Sequence, residues 1–276
     1  MKTRIITGVL AGALMLLILF LPWTIVLTIV TSLITAIAVY EVFSVTGVHK
    51  HGGVDSVAIV FALIAPFLNR MPSDNAAVVT CGMYAAMLVL LTVLYRKEVS
   101  TKRLVAVYAV SVFVTFALSC MSYIRTLPSP RDTDGLFYLI LAMVAAWVAD
   151  TGAYFVGSFL GKHKLCPRLS PKKTVEGLIG GMVFSVAFCL LTGWIYQLCL
   201  GDVAKISYGG IFLLALICAP LSVVGDLFAS LIKRICKVKD YGIIFPGHGG
   251  MMDRFDSLLF VLPVVYLTAR VFPLVG

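Results

Sequence analysis

The densest collection of chemically capable side chains runs from Asp226 to Asp256, through SLIKRICKVKDYGIIFPGHGGMMDRFD at 230–256. On a helix, Asp226, Ser230, Lys233 and Arg234 fall at i, i+4, i+7 and i+8 and share one face. A carboxylate, a hydroxyl and two cations on one stripe suit a phosphate bound with a divalent ion. The carboxylate takes the ion and the cations take phosphate oxygens. An ion pair between Asp226 and Arg234 at a membrane edge would use the same residues, but it leaves the next segment unexplained. That segment holds Lys239-Asp240, then Pro246-Gly247-His248-Gly249-Gly250, then Asp253-Arg254-Phe255-Asp256. The backbone of a turn so rich in glycine can approach a ligand closely. Asp253 and Asp256 are three apart, so one helical turn would present both carboxylates. His248 either bonds a neighbouring carbonyl, or contacts a phosphate or moves a proton. No nucleophile–base triad is visible, and the Cys and His spacing fits no zinc site. Hard oxygen ligands beside Lys and Arg point to Mg2+ and to phosphoryl or nucleotidyl transfer.

A second polar stretch is Asp150–Gly177. Asp150, Tyr154, Gly157 and Gly161 would share one helical face. The two glycines at that spacing suit close helix approach. Asp150 sits inside an apolar run, where a carboxylate is costly and marks function. Lys162, Lys164, Arg168, Lys172 and Lys173 follow. Ser170 or Thr174 can cap the next helix, with Glu176 in its first turn. Lys172 and Lys173 oppose the dipole at that helix start but suit an anion docking there.

The elements that must position these residues are apolar. Of the 276 residues, 61% are hydrophobic and 13% charged. This describes an all-α, polytopic integral membrane protein. Apolar runs occur at Ile5–Leu21, Trp23–Phe43, Val54–Leu68, Ala76–Tyr95 and Leu104–Tyr123. Others are Gly135–Leu160, Gly177–Leu200, Ile206–Leu231 and Ser257–Val275. Each is near the ~20 residues needed to cross a bilayer, Val54–Leu68 being the shortest, so about nine transmembrane helices are expected. Gly135–Leu160 is longer than a span and has room for a break. Met1–Arg4 leads into an apolar run without an evident small-residue cleavage site, which reads as an uncleaved first span. With nine spans, 17 of the 22 Lys and Arg fall on the N-terminal side of the membrane and 5 on the other. That bias places the N-terminus in the cytoplasm, with both polar stretches facing it. Ionisable residues up to 130 sit almost entirely in short loops, Glu41 near the end of the second run being the exception, so 1–130 reads as packing and anchoring helices and 131–276 as the catalytic half. The seven cysteines form no C-x-x-C pair and read as packing residues. The formal charge of +9 suits topology and anionic lipid headgroups; no basic soluble domain is present for nucleic acid.

At these residues the chain resembles the phosphatidate cytidylyltransferase (CDP-diacylglycerol synthase) family. That family's signature is S-x-x-K-R, four residues, K-D, then P-G-H-G-G and D-R-x-D. It is matched from Ser230, Lys233 and Arg234 through Lys239 and Asp240 to Pro246–Gly250, Asp253, Arg254 and Asp256. Asp150–Tyr154, Ser170–Thr174 and Glu176-Gly177 match a second family stretch. The resemblance implies transfer of a cytidylyl group from CTP to phosphatidate, giving CDP-diacylglycerol and pyrophosphate at the cytoplasmic face of the cell (inner) membrane. Asp226, Asp253 and Asp256 would hold Mg2+ or another divalent cation, with a monovalent cation as a further candidate. Lys233, Arg234, Lys239, Lys172 and Lys173 would take phosphate oxygens. Asp240, His248 and Arg254 complete the implied catalytic set. Asp150, Tyr154, Ser170, Thr174, Glu176 and Ser230 line the implied substrate wall, with Gly249 and Gly250 close to the triphosphate. A homodimer is implied by the resemblance alone.

Two other readings use the same residues. A CTP-dependent kinase of a lipid alcohol, polyprenol for instance, would release CDP rather than pyrophosphate. An ion-coupled transporter could use Asp150 and Asp226 within spans, but it would not need the charges gathered on one surface.

Overall fold

The computed structural model describes residues 17–21, 24–48, 53, 55–71, 74–95, 97–201, 205–244 and 249–276. The first apolar run lies outside the described residues except for 17–21, as do Lys2, Arg4, Lys50, Arg96 and His248.

The chain is helical almost throughout. Helices α1 (Thr24–Thr46), α2 (Ser56–Ile64, extended by a 3-10 turn over Ala65–Arg70), α3 (Asp74–Leu94) and α4 (Thr101–Arg125) come first. Then come α5 (Asp134–Met143) and α6 (Ala149–Leu160), joined through a π-helical turn over Val144–Val148. A hairpin of β1 (Lys164–Cys166) and β2 (Ser170–Thr174) leads into α7 (Val175–Leu200), α8 (Tyr208–Ile235), the short α9 (Met252–Phe255) and α10 (Leu258–Val271). Among the described residues six helices are long and apolar enough to cross a membrane: α1, α3, α4, the α5–α6 run, α7 and α8. The α2 and α10 segments are shorter apolar helices. Long apolar runs take this form because hydrocarbon offers the backbone no outside hydrogen-bond partner. The room for a break in Gly135–Leu160 is used by the π-helical turn. Ser185 Oγ donates to the Ala145 carbonyl there at 3.1 Å.

The chain forms two compact units, one of Met1–Thr126 with Ile235–Phe255, the other of Leu127–Arg234 with Asp256–Gly276. The first 126 residues fall in one unit and most of residues 127–276 in the other. Ile235–Phe255, however, packs with the N-terminal helices rather than with the half that holds the other polar residues. Its tether there is Glu41, described below.

In the first unit α1 packs most extensively on α4 and α2. Val39, Val42, Phe43, Leu104, Leu118 and Met121 form the core. Buried hydroxyls join the helices: Thr28 Oγ1 and Ser122 Oγ lie 2.8 Å apart, and Tyr123 donates to the Ala65 carbonyl at 2.6 Å. In the second unit α6 and α7 are antiparallel neighbours across the hairpin. Gly157 brings α6 against Thr174 and Gly177, where a Cβ would meet Thr174 Oγ1 at 2.8 Å. That is the close approach its spacing suggests. Phe137, Leu141, Ala146, Ile211, Ala215 and Leu262 lie in this unit's core. Phe155, Phe159, Ile179, Val183 and Trp194 are exposed, as side chains facing lipid would be.

Apart from an isolated antiparallel bridge between Ile206 and Val275, the hairpin is the departure from all-α among the described residues. Lys164 pairs with Thr174 and Cys166 with Ser170. Pro167 and Pro171 favour extended backbone before them and deny the segment a helix. An extended β2 also sends successive side chains to opposite faces.

Candidate functional site

The second unit gathers residues from both polar stretches. Lys173 is on β2, and its Nζ lies 2.6 Å from Asp226 Oδ2 on α8. Ser230, one helical turn on, places its hydroxyl 3.5 Å from Asp226 Oδ1. Asp256, in the turn between α9 and α10, lies close enough to feel both Asp226 and Lys233. Asp150 on α6 is held by the Ser257 hydroxyl and feels both Lys173 and Asp226. Gly225 makes the approach of α8 possible, because a Cβ there would collide with the Asp256 carbonyl oxygen. Lys172, next to Lys173 but on the other face of β2, is exposed.

The electrostatics of this cluster are unbalanced. Burial pushes the Asp256 carboxyl up to about 7, with the Asp226 charge adding to the rise and Lys233 and the Ser257 N–H opposing it. Three carboxylates crowd around Lys173 and Lys233, which is a demand for further positive charge. Among the described residues, no three His, Cys, Asp or Glu side chains are gathered closely enough to hold a metal ion by themselves. The set fits an ion such as Mg2+, which takes one or two protein carboxylates and fills its shell with water and substrate phosphates.

The first unit holds the other part of the signature. Asp253 Oδ2 accepts the N–H groups of Tyr241 at 2.8 Å and Gly250 at 2.9 Å. Asp253 lies within α9, and Asp256 lies in the turn directly after it. Asp253 braces the loop, while Asp256 joins Asp226. Gly249 has φ +82 beside Asp253. Lys239, Asp240 and Arg254 are exposed, as is Arg234 at the end of α8 in the other unit.

Several of the expected wall residues also make local contacts in and around the hairpin. Thr174 caps α7 by accepting the Gly177 N–H at 3.1 Å. Glu176 accepts the backbone N–H of Lys162 and His163 and lies 2.6 Å from the His163 ring. Ser170 forms the far end of the strand pair. Tyr154 is 71% exposed and packs edge-on to Phe155.

Two residues of consequence carried little sequence signal. Ser257 looks like an ordinary helix-start serine. Glu41 is a lone carboxylate within the run Trp23–Phe43, and that isolation is the available clue.

This is a multi-helix membrane protein with an acidic–basic cluster suited to phosphate chemistry. The cytidylyltransferase family profile matches residues 2–272, and the chain belongs to that family. It is 33% identical to the phosphatidate cytidylyltransferase of Bacillus subtilis (strain 168), over 99% of this chain and 98% of that protein. Phosphatidate cytidylyltransferases of Staphylococcus haemolyticus (strain JCSC1435) and Staphylococcus aureus (strain COL) are each 44% identical over 48% of this chain and 49% of their own length.

Proposed function

We propose that this protein transfers the cytidylyl group of CTP to phosphatidate, forming CDP-diacylglycerol and pyrophosphate. The observation that carries this reading is the joining of Asp150, Lys173, Asp226 and Asp256 in one cluster. These residues come from both sequence stretches that resemble the family. The name of the Bacillus subtilis relative, matched over nearly its whole length, agrees with it.

The lipid phosphate is already anionic and nucleophilic at neutral pH, so the protein's task is positioning and charge neutralisation. One lipid phosphate oxygen forms a bond to the α-phosphorus of CTP as the bond to the bridging oxygen of the β-phosphate breaks. Lys173 and Lys233 hold phosphate oxygens, Arg234 adds charge, and Ser230 donates from the same helical face. Asp226 and Asp256, with Asp150 beside them, would hold Mg2+, and Asp253 braces the loop. The bound ion would neutralise triphosphate charge and stabilise the departing pyrophosphate. In this reading nine spans place the N-terminus and the cluster on the cytoplasmic side of the cell membrane. The support is the Lys and Arg bias. The homodimer implied by the resemblance belongs to the same proposal.

The test uses purified full-length protein in detergent with CTP, phosphatidate and Mg2+. CDP-diacylglycerol and pyrophosphate are expected. CDP as the product would replace this reading with a lipid kinase, and transport without CTP would replace it with a carrier.

A further inference from the structure

We propose that Glu41 is a positioning residue for the reaction, clamping the backbone of the glycine-rich signature loop from the N-terminal helices. This rests on the proposed function for what the loop serves, though the clamp itself stands on geometry within the first unit.

Glu41 lies in the last turns of α1 and is 3% exposed. Its Oε1 accepts the Met251 N–H at 2.9 Å and its Oε2 accepts the Met252 N–H at 2.8 Å. Both carboxylate oxygens are thus engaged by adjacent amides, 210 and 211 positions away. Gly250 and Gly242 press so close to this carboxylate that a Cβ on either would overlap it. Asp253 takes the next amide, that of Gly250, and also that of Tyr241. Three consecutive N–H groups are therefore held by two carboxylates.

A loop held only by its own residues could slide or tilt as a unit. A bidentate acceptor on a spanning helix removes that freedom. Charge-assisted bonds of this kind are short, strong and directional. A carboxylate is expensive inside an apolar helix, and helix packing alone does not require one. Two otherwise orphaned amides at the start of α9 do require an acceptor. The residue expected only to anchor thus links the anchoring helices to the signature.

The experiment compares full-length wild type, Glu41→Gln and Glu41→Asp in detergent micelles. It measures initial rates against CTP and phosphatidate, thermal unfolding, and hydrogen exchange at residues 249–253. Glu41→Gln keeps the size but turns an amide donor toward an N–H donor. A loss of about tenfold or more in kcat is expected, the size of losing one charge-assisted bond from the aligned state. KM for phosphatidate should stay within about twofold, uniform binding being untouched. Exchange at Met251 and Met252 should rise while Tm falls by only a few degrees. Glu41→Asp should recover part of the rate. Wild-type kcat in Glu41→Gln overturns the proposal. So does an activity loss that disappears whenever the variant is assayed well below its own Tm, since that marks a merely structural role. Should the variants not fold, fast exchange of the Met251 and Met252 amides in the wild type refutes the clamp, and strong protection upholds it. If the wild type makes no CDP-diacylglycerol, the proposed function fails while the exchange measurement still decides the clamp.

Discussion

Lys172 and Lys173 are adjacent and chemically identical, yet the structure gives them different work. Lys173 lies 2.6 Å from Asp226, with side-chain exposures of 20% and 33%, while Lys172 is exposed on the opposite face of β2. Replacing Lys173 with Met keeps much of the apolar stem and removes the charge. Breaking a buried pair costs about 3–5 kcal/mol and a fully exposed one about 0–1 kcal/mol. This pair lies between, so about 2 kcal/mol of stability should be lost, or roughly 4–8 °C in Tm. The catalytic loss should be larger, because Asp150, Asp226 and Asp256 would then face the substrate phosphates with one fewer cation. Removing one preorganised donor to developing charge costs about 10²–10³ in rate. The assay is CDP-diacylglycerol formation in mixed micelles, run with thermal unfolding of the same preparations. Lys172→Met should stay within about threefold of wild type, as exposed substitutions do. Equal losses in the two variants would refute the strand-face argument. A Lys173→Met enzyme of normal rate would refute its place in the site.

Asp256 should make stability depend on pH without added cation. Its carboxyl is raised from the ordinary 3.8 to about 7, so the folded state binds the proton more tightly than the unfolded state. The stabilisation is full below about pH 4 and is lost as pH rises through about 7. Asp256→Asn should melt higher than wild type at pH 8, with the difference shrinking steadily as pH falls and becoming small at about pH 4; a constant difference at all pH values would exclude the burial argument. Chelation of divalent cations should abolish product formation, with recovery on adding Mg2+, and full activity in excess chelator would remove the metal from the proposal. Thr174→Ala should cost about 1 kcal/mol through the lost α7 cap, read as a small drop in Tm. Gly225→Ala should cost more than that cap, because its Cβ has no room beside the Asp256 carbonyl; equal Tm values would contradict the packing.

Much of the fold was legible because hydrocarbon allows few solutions. Runs near twenty apolar residues become helices, and the runs expected from Trp23 onward match helical segments to within a few residues. The hairpin was less legible. Its prolines forbid a helix but do not choose between a loop and paired strands, and the pairing is a contact between segments. The candidate residues were legible by type and order. Their grouping was not: nothing in the spacing says that Asp253 takes the amides of Tyr241 and Gly250, or that Asp256 lies beside Asp226.

By itself the sequence determined that this chain is a basic, many-helix membrane protein bearing a cytidylyltransferase signature, since hydropathy and motif order are local properties. Tertiary structure decided which residues share work. It turned Lys173 rather than Lys172 toward Asp226, joined Asp150 and Asp256 to that pair, and set Glu41 on amides 210 and 211 positions away. A strand's facing and a long-range hydrogen bond depend on where other segments pack. No spacing along the chain records that.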